Sequence, residues 1–180
     1  MLKVEVRRTG RRFDASAQLE LAADLATVWG AITDYPALPG FMPGIRACRV
    51  VQRTAEGAHD ERLVVEQEGE FRFLVFAQSM KVTLDIHHQA RKLAVARATR
   101  FDLGLFKGSA INIFEGRYEL TPLGGRGKAA RVLLGYSAVI GLRLPPPPGI
   151  GNMAVQQNLS AQLDAVGKEV LRRAGSLRAG

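Results

Sequence analysis

The sequence predicts an α+β fold in which a curved antiparallel sheet of about seven strands wraps around one long C-terminal helix, with two short helices after the first strands. Three observations predict it. Val155, Leu159, Leu163, Val166 and Val170 recur at helical spacing and share one face of a helix running from Ile150 to about Ala174. The run Pro145 to Pro148, followed by Gly149, marks where that helix can begin, because consecutive residues without backbone donors fit neither a helix interior nor a central strand. Nearly everything upstream reads as strand, and a sheet of strands joined by short turns cannot cover its own concave face. The long helix is the element available to close it.

Taken in order, Lys3 to Arg8 alternates, Thr9 and Gly10 form a turn, and Arg12 to Ala22 alternates again. Ala15, Ala17, Leu19 and Leu21 occupy one face, with Ser16, Gln18 and Glu20 on the other. Asp24 is placed to cap a helix carrying Leu25, Val28, Trp29 and Ile32, which ends ahead of Pro36. The segment DYPALPGFMPG, Asp34 to Gly44, supports a helical turn or two, and Asp34 is read as closing the turn into Tyr35-Pro36. Strands follow at Ile45 to Arg53, Glu61 to Gln67, Phe71 to His87 (one bulged strand or two), Leu93 to Ala98, Ile111 to Leu120 and Arg131 to Leu142. Turns are expected at Glu56-Gly57, Gly69, Gln89-Ala90, Gly104 to Gly108 and Gly124 to Gly127.

The 180 residues are expected to form a single domain, 1–180, with its core over about 13–174. With 47% hydrophobic and 23% charged residues the chain has the composition of a folded globule. The lone Cys48 excludes an internal disulfide, which suits a reducing compartment. A cytoplasmic protein, peripheral to a membrane at most, is expected; a trimmed N-terminus leaves a secreted or periplasmic origin open. The formal charge of +8 gathers at Arg7, Arg8, Arg11 and Arg12 and at Arg172, Arg173 and Arg178. That distribution argues against nucleic acid. It makes an anionic membrane surface a further partner to test, although a solvated basic face is the simpler explanation.

Val28-Trp29, Asp34-Tyr35 and Phe41-Met42-Pro43, together with Gly116-Arg117-Tyr118-Glu119-Leu120 and Thr121 to Gly125, carry a resemblance. The chain from about Phe13 to Ala174 resembles the polyketide cyclase/dehydrase and lipid-transport superfamily, the START-like (SRPBCC) helix-grip proteins, and in it the cyclase-like and coenzyme Q-binding subgroup. The resemblance implies a helix-grip fold with a cavity between sheet and helix. It also implies that members acting as cyclases use a few tyrosine, arginine, histidine or acidic groups in an otherwise apolar cavity. Relatives commonly carry tryptophan where Tyr118 stands; the tyrosine keeps the ring and adds a hydroxyl that wants a partner.

Strand alternation puts Asn112, Phe114, Tyr118 and Leu120 on one face, and Val132, Leu134, Tyr136, Ala138 and Ile140 on one face of the next strand. The expected ligand-lining set is Trp29, Phe41, Met42, Phe76, Met80, Leu84, Phe106, Asn112, Phe114, Tyr118, Leu134, Tyr136, Met153 and Gln157. Phe106 enters through an apolar loop beside Lys107. Met153 and Gln157 enter as adaptable and polar residues near the mouth, alongside Gln156, Asn158 and Ser160. The strand around Phe71, Phe73, Val75 and Phe76 is apolar on both faces, which makes a homodimer worth testing.

Enzyme signatures are scarce. No serine sits in a G-x-S-x-G setting, and His87 and His88, adjacent on a strand, point to opposite faces and cannot share a metal. No metal and no cofactor is expected. Acid/base chemistry remains, with Tyr118, Tyr136 and Glu66 as catalytic candidates and Arg97 and one histidine behind them; Glu66 qualifies only if buried, and an ion pair on an exposed strand is the simpler reading. Binding of a lipid, isoprenoid quinone or polyketide-like aromatic, as carrier or chaperone, is therefore the leading expectation. An aromatase/cyclase is the alternative, and a membrane-docking or protein-interaction module a second one.

Overall fold

The computed structural model describes residues 2–73, 76–102, 111–145 and 150–176. Eight strands form one sheet: β1 (Lys3–Thr9), β2 (Arg12–Leu21), β3 (Ile45–Ala55), β4 (Glu61–Phe73), β5 (Phe76–Gln89), β6 (Leu93–Asp102), β7 (Ile111–Gly124) and β8 (Arg131–Leu142). Their order is β1-β2-β8-β7-β6-β5-β4-β3, and every neighbouring pair is antiparallel. Helix α1 (Leu25–Thr33) and a 3-10 segment (Tyr35–Gly40) connect β2 to β3, and α2 (Ile150–Ser176) follows β8.

The sheet has eight strands where about seven are expected, and the break between the fourth and fifth moves: β4 runs on through Gly69 to Phe73, and β5 begins at Phe76. Gly69 is not a turn. It pairs with Met80 inside the ladder, and a Cβ there would lie 2.3 Å from the carbonyl oxygen of Gly44. Glycine is needed for that close approach, which carries the Glu70 amide to 2.8 Å from the same oxygen.

Local sequence explains both helices. The Asp24 side chain accepts from the Thr27 amide at 2.8 Å, which satisfies a free first-turn donor of α1 and holds its carboxyl below the ordinary range. Thr27, Val28, Ala31 and Ile32 form the buried face. On α2 the predicted stripe, Val155, Leu159, Leu163, Val166 and Val170, is buried throughout, each side chain contributing roughly 2 kcal/mol of apolar burial.

The far end of α2 is fastened to α1 by charge. Glu169, 8% exposed, accepts from Arg172 and from Arg173, each at 2.7 Å. Arg173 also donates to the Gly30 carbonyl and to Asp34, both at 3.0 Å. Two of the basic residues of the C-terminal segment are thus occupied by ion pairs. Asp34 closes its own turn through the backbone, its carbonyl accepting from Ala37 at 2.9 Å, while its side chain serves Arg173.

Among the described residues no helix is long and apolar enough to cross a membrane.

Candidate functional site

The register of the sheet assembles the site row by row. Glu61 on β4 pairs with His88 on β5, His88 with Ala94 on β6, Ala94 with Tyr118 on β7, Tyr118 with Tyr136 on β8, and Tyr136 with Ala17 on β2. Polar side chains therefore lie along one line across the concave face. The next inward row is Leu63, Ile86, Ala96, Gly116, Ala138 and Ala15. Four consecutive members of this second row, Ala96, Gly116, Ala138 and Ala15, are small, and all four line a cavity of about 220 Å³. Close-packed interiors leave few voids, so a hollow of this size needs a run of side chains too short to reach the helix above them.

The rest of the wall is largely apolar, including Ile32, Leu38, Met42, Met80, Val82, Leu84, Phe101, Phe114, Val155 and Leu159. Tyr118 and Tyr136 face each other across the β7–β8 ladder with ring centroids 4.7 Å apart. No described residue hydrogen-bonds either hydroxyl. Gly116 leaves the room they need: a Cβ there would stand 3.2 Å from Tyr136 Oη and 3.3 Å from Phe114. Burial pushes the Tyr118 hydroxyl far above its ordinary pKa, with the neighbouring Tyr136 and Tyr35 acting in the same direction. Burial raises Tyr136 to about 12. Both are neutral donors or acceptors at physiological pH, never phenolates.

A third phenol comes from the 3-10 segment. Tyr35 lines the cavity, and its hydroxyl lies 2.7 Å from His88 Nε2. His88 is 3% exposed; its Nδ1 lies 2.9 Å from Glu61 Oε1, and Glu61 lies 3.3 Å from Arg53. Trp29 sits edge-on to the imidazole at 5.0 Å. Desolvation holds the His88 pKa below its ordinary value, outweighing the opposing pull of Glu61. Farther along β4, Gln67 also lines the cavity, six residues and about 20 Å from Glu61. Asn158 and Gln162 contribute two amides from α2, joined to each other at 2.9 Å.

Of the residues expected from sequence, Met42, Met80, Leu84, Phe114, Tyr118 and Tyr136 line this cavity. Others stand elsewhere. Asn112 is exposed because a bulge between Ile111 and Ile113 shifts the alternation by one residue and turns Ile111 inward in its place. Leu134 is wholly buried, one inward row beyond Tyr136 and off the cavity wall. Trp29 and Phe41 are half-buried against the core and do not line it. Met153 and Gln157 are exposed, since the α2 face toward the sheet carries Ala154, Asn158 and Gln162 instead. Phe106 and the side chain of Phe76 lie outside the described residues.

Glu66 does not enter the cavity. It lies on the opposite face of β4 from Val65 and Gln67, paired with Arg49 at 2.9 Å and with Lys81 at 3.5 Å, and Arg49 lowers its pKa. Arg97 is likewise exposed and holds Glu115 at 2.8 Å. His87 points away from the cavity toward Glu56. Among the described residues no group of three His, Cys, Asp or Glu side chains is placed to hold a metal.

The family model for polyketide cyclase / dehydrase and lipid transport proteins matches residues 21–165. The chain belongs to this family. Its structure is similar to a START superfamily protein from Mycobacterium smegmatis, with a TM-score of 0.67 at 20% identity, covering 88% of this chain and 97% of that one. It is also similar to the STAR-related lipid transfer protein from Xanthomonas axonopodis, with a TM-score of 0.65 at 16% identity over 94% and 93% of the two chains. A third likeness is to the Zhui aromatase/cyclase from Streptomyces sp. R1128, with a TM-score of 0.63 at 17% identity over 90% and 95%. No curated protein sequence matches the chain significantly. At such identities the likenesses establish the helix-grip fold, and they single out no coenzyme Q-binding branch.

Proposed function

We propose that this START-like protein binds a hydrophobic small molecule between sheet and α2 and acts as its carrier or chaperone. A lipid tail, an isoprenoid quinone and a polyketide-like aromatic all suit the wall. The observation that carries the reading is the cavity itself: about 220 Å³, lined by aliphatic and aromatic side chains, with phenols and amides at separate places to orient a guest. A void of roughly 150 Å³ lined by apolar side chains already accepts benzene, so this one has room for a larger guest. Native mass spectrometry and organic extraction of freshly purified protein test it. A co-purifying apolar compound is expected; protein that stays empty and takes up no apolar probe would sink the reading.

Aromatase/cyclase activity is the second reading, favoured by the hydroxyls of Tyr118 and Tyr136, which no described residue hydrogen-bonds, and by the likeness to a protein described as an aromatase/cyclase. Neutral phenols beside a bound ketone can donate to its oxygen as charge develops there. Replacing both tyrosines with phenylalanine should abolish turnover of a poly-β-ketone while leaving binding within a few-fold. Unchanged turnover would remove both from the mechanism.

A further inference from the structure

The polarity of the Tyr35 hydroxyl can be worked out from its partners. A carboxylate only accepts, so the His88 nitrogen facing Glu61, Nδ1, carries the hydrogen. In a neutral imidazole the other nitrogen, Nε2, is then an acceptor, and the group 2.7 Å from it is Tyr35 Oη. Tyr35 must therefore spend its hydrogen on His88. What remains for the cavity is a pair of oxygen lone pairs. Tyr118 and Tyr136 differ, since no described residue takes the hydrogen of either hydroxyl and each can donate or accept.

The geometry points to Tyr35 as a fixed hydrogen-bond acceptor in the cavity, oriented by His88 and Glu61, which selects an apolar ligand bearing a hydroxyl donor such as a phenol or an enol. This inference rests on the reading of the cavity as a ligand site. Tyr35 is the contacting group; His88 and Glu61 are positioning residues. The arrangement is locked from several sides. Trp29 of α1 abuts the imidazole edge, Arg53 of β3 holds the outer face of Glu61, and the Tyr35 ring stacks at 19° to the imidazole plane. The other titratable groups nearby are His87 beside it in the chain, the Cys48 thiol on β3, which burial raises to about 11, and Tyr118. None of these is an anion near neutral pH that could replace Glu61 at Nδ1.

Two measurements on the whole chain test the proposal. Nitrogen NMR of the ligand-free protein near neutral pH should find His88 as the Nδ1–H tautomer; an Nε2–H tautomer would reverse the polarity of Tyr35 and overturn the inference without any variant. The second compares naphthol with fluoronaphthalene, in which fluorine replaces the hydroxyl. Naphthol should bind on the order of tenfold more tightly, the worth of one hydrogen bond to a buried acceptor. Tyr35→Phe should reduce that advantage to within about twofold, read as the ratio of the two probes' affinities for the same variant. Equal binding of the two probes to the unmodified protein, or a preference that survives Tyr35→Phe, would overturn the inference and leave the cavity reading standing. Failure of both probes to bind would sink the cavity reading and the inference together.

Discussion

Asp34 and Tyr35 are neighbours in the chain, yet each belongs to a different polar cluster. Asp34 turns outward to Arg173, which with Glu169 and Arg172 forms a charged clamp between the ends of α1 and α2. Tyr35 turns inward to His88 and Glu61 and lines the cavity. In the clamp each charge meets an opposite one, with no orientation left over for a guest. In the second cluster burial favours the neutral imidazole, and the chain of hydrogen bonds ends at Tyr35, a residue of the cavity wall. A closed ionic cluster fastens elements together, whereas one that ends in neutral groups at a cavity can address a ligand.

The largest effect that would break this contrast is on the clamp. Glu169→Ala leaves Arg173 beside a buried gap and should cost about 2–3 kcal/mol in urea unfolding, with little change in probe binding. A loss confined to binding would assign the clamp to the site instead. Acid should act through the same residue. Its partners hold the native Glu169 carboxyl at about 2. The unfolded value is about 4.3, so its contribution is complete above that pH and is lost as pH falls. Denaturation midpoints measured across that window should fall less steeply in Glu169→Gln.

Next in size is the inward cluster. Tyr35→Phe removes the donor to a buried nitrogen and should destabilise by about 1 kcal/mol, read as a shift in the thermal midpoint. His88 has a folded pKa below its unfolded value of about 6.5, so it stabilises the native state above that pH, and the contribution is lost as pH falls through the depressed folded value. Glu61→Gln removes the partner that raises this pKa and should move the His88 titration to lower pH still, as followed by its ring resonances. A shift to higher pH would mean that Glu61 does not face the ring in solution.

Gly116→Ala sharpens the comparison from the side of volume. The added methyl meets Tyr136 Oη and Phe114, so apolar probe affinity should fall several-fold, with a stability change of about 1 kcal/mol or less. The smallest effect is expected for Gln162→Ala on α2. One amide pair is lost, stability should change by about 0.5 kcal/mol, and only ligands reaching Asn158 should notice.

Much of the fold was legible because it is written in periodicity and punctuation. The stripe from Val155 to Val170, the cap at Asp24 and the stop before Pro36 are local signals, and each marks a feature present in the structure. Met42, Met80, Leu84, Phe114, Tyr118 and Tyr136 could be assigned to an inward face by alternation and motif position. Alternation failed at Asn112, where one bulge residue exchanges the two faces, a displacement that leaves no mark in residue type. Helix phase was legible for the apolar stripe but not for its flanks, so Gln157 entered the expected lining set, Asn158 only as its neighbour near the mouth, and Gln162 not at all. A spacing of four between two amides was the available signal.

What the sequence determined by itself is the class of the molecule: one long amphipathic helix, many strands, and a family motif covering most of the chain. Tertiary structure alone decided where the hollow lies and which way its polar groups point. Ala15, Ala96, Gly116 and Ala138 are unremarkable one at a time, and they become a cavity only when the ladder brings them into one row. The partners Tyr35, Glu61 and His88 come from three separate elements, so no local pattern links them. Periodicity is a property of neighbours in the chain, whereas a cavity and a hydrogen-bond polarity are properties of neighbours in space.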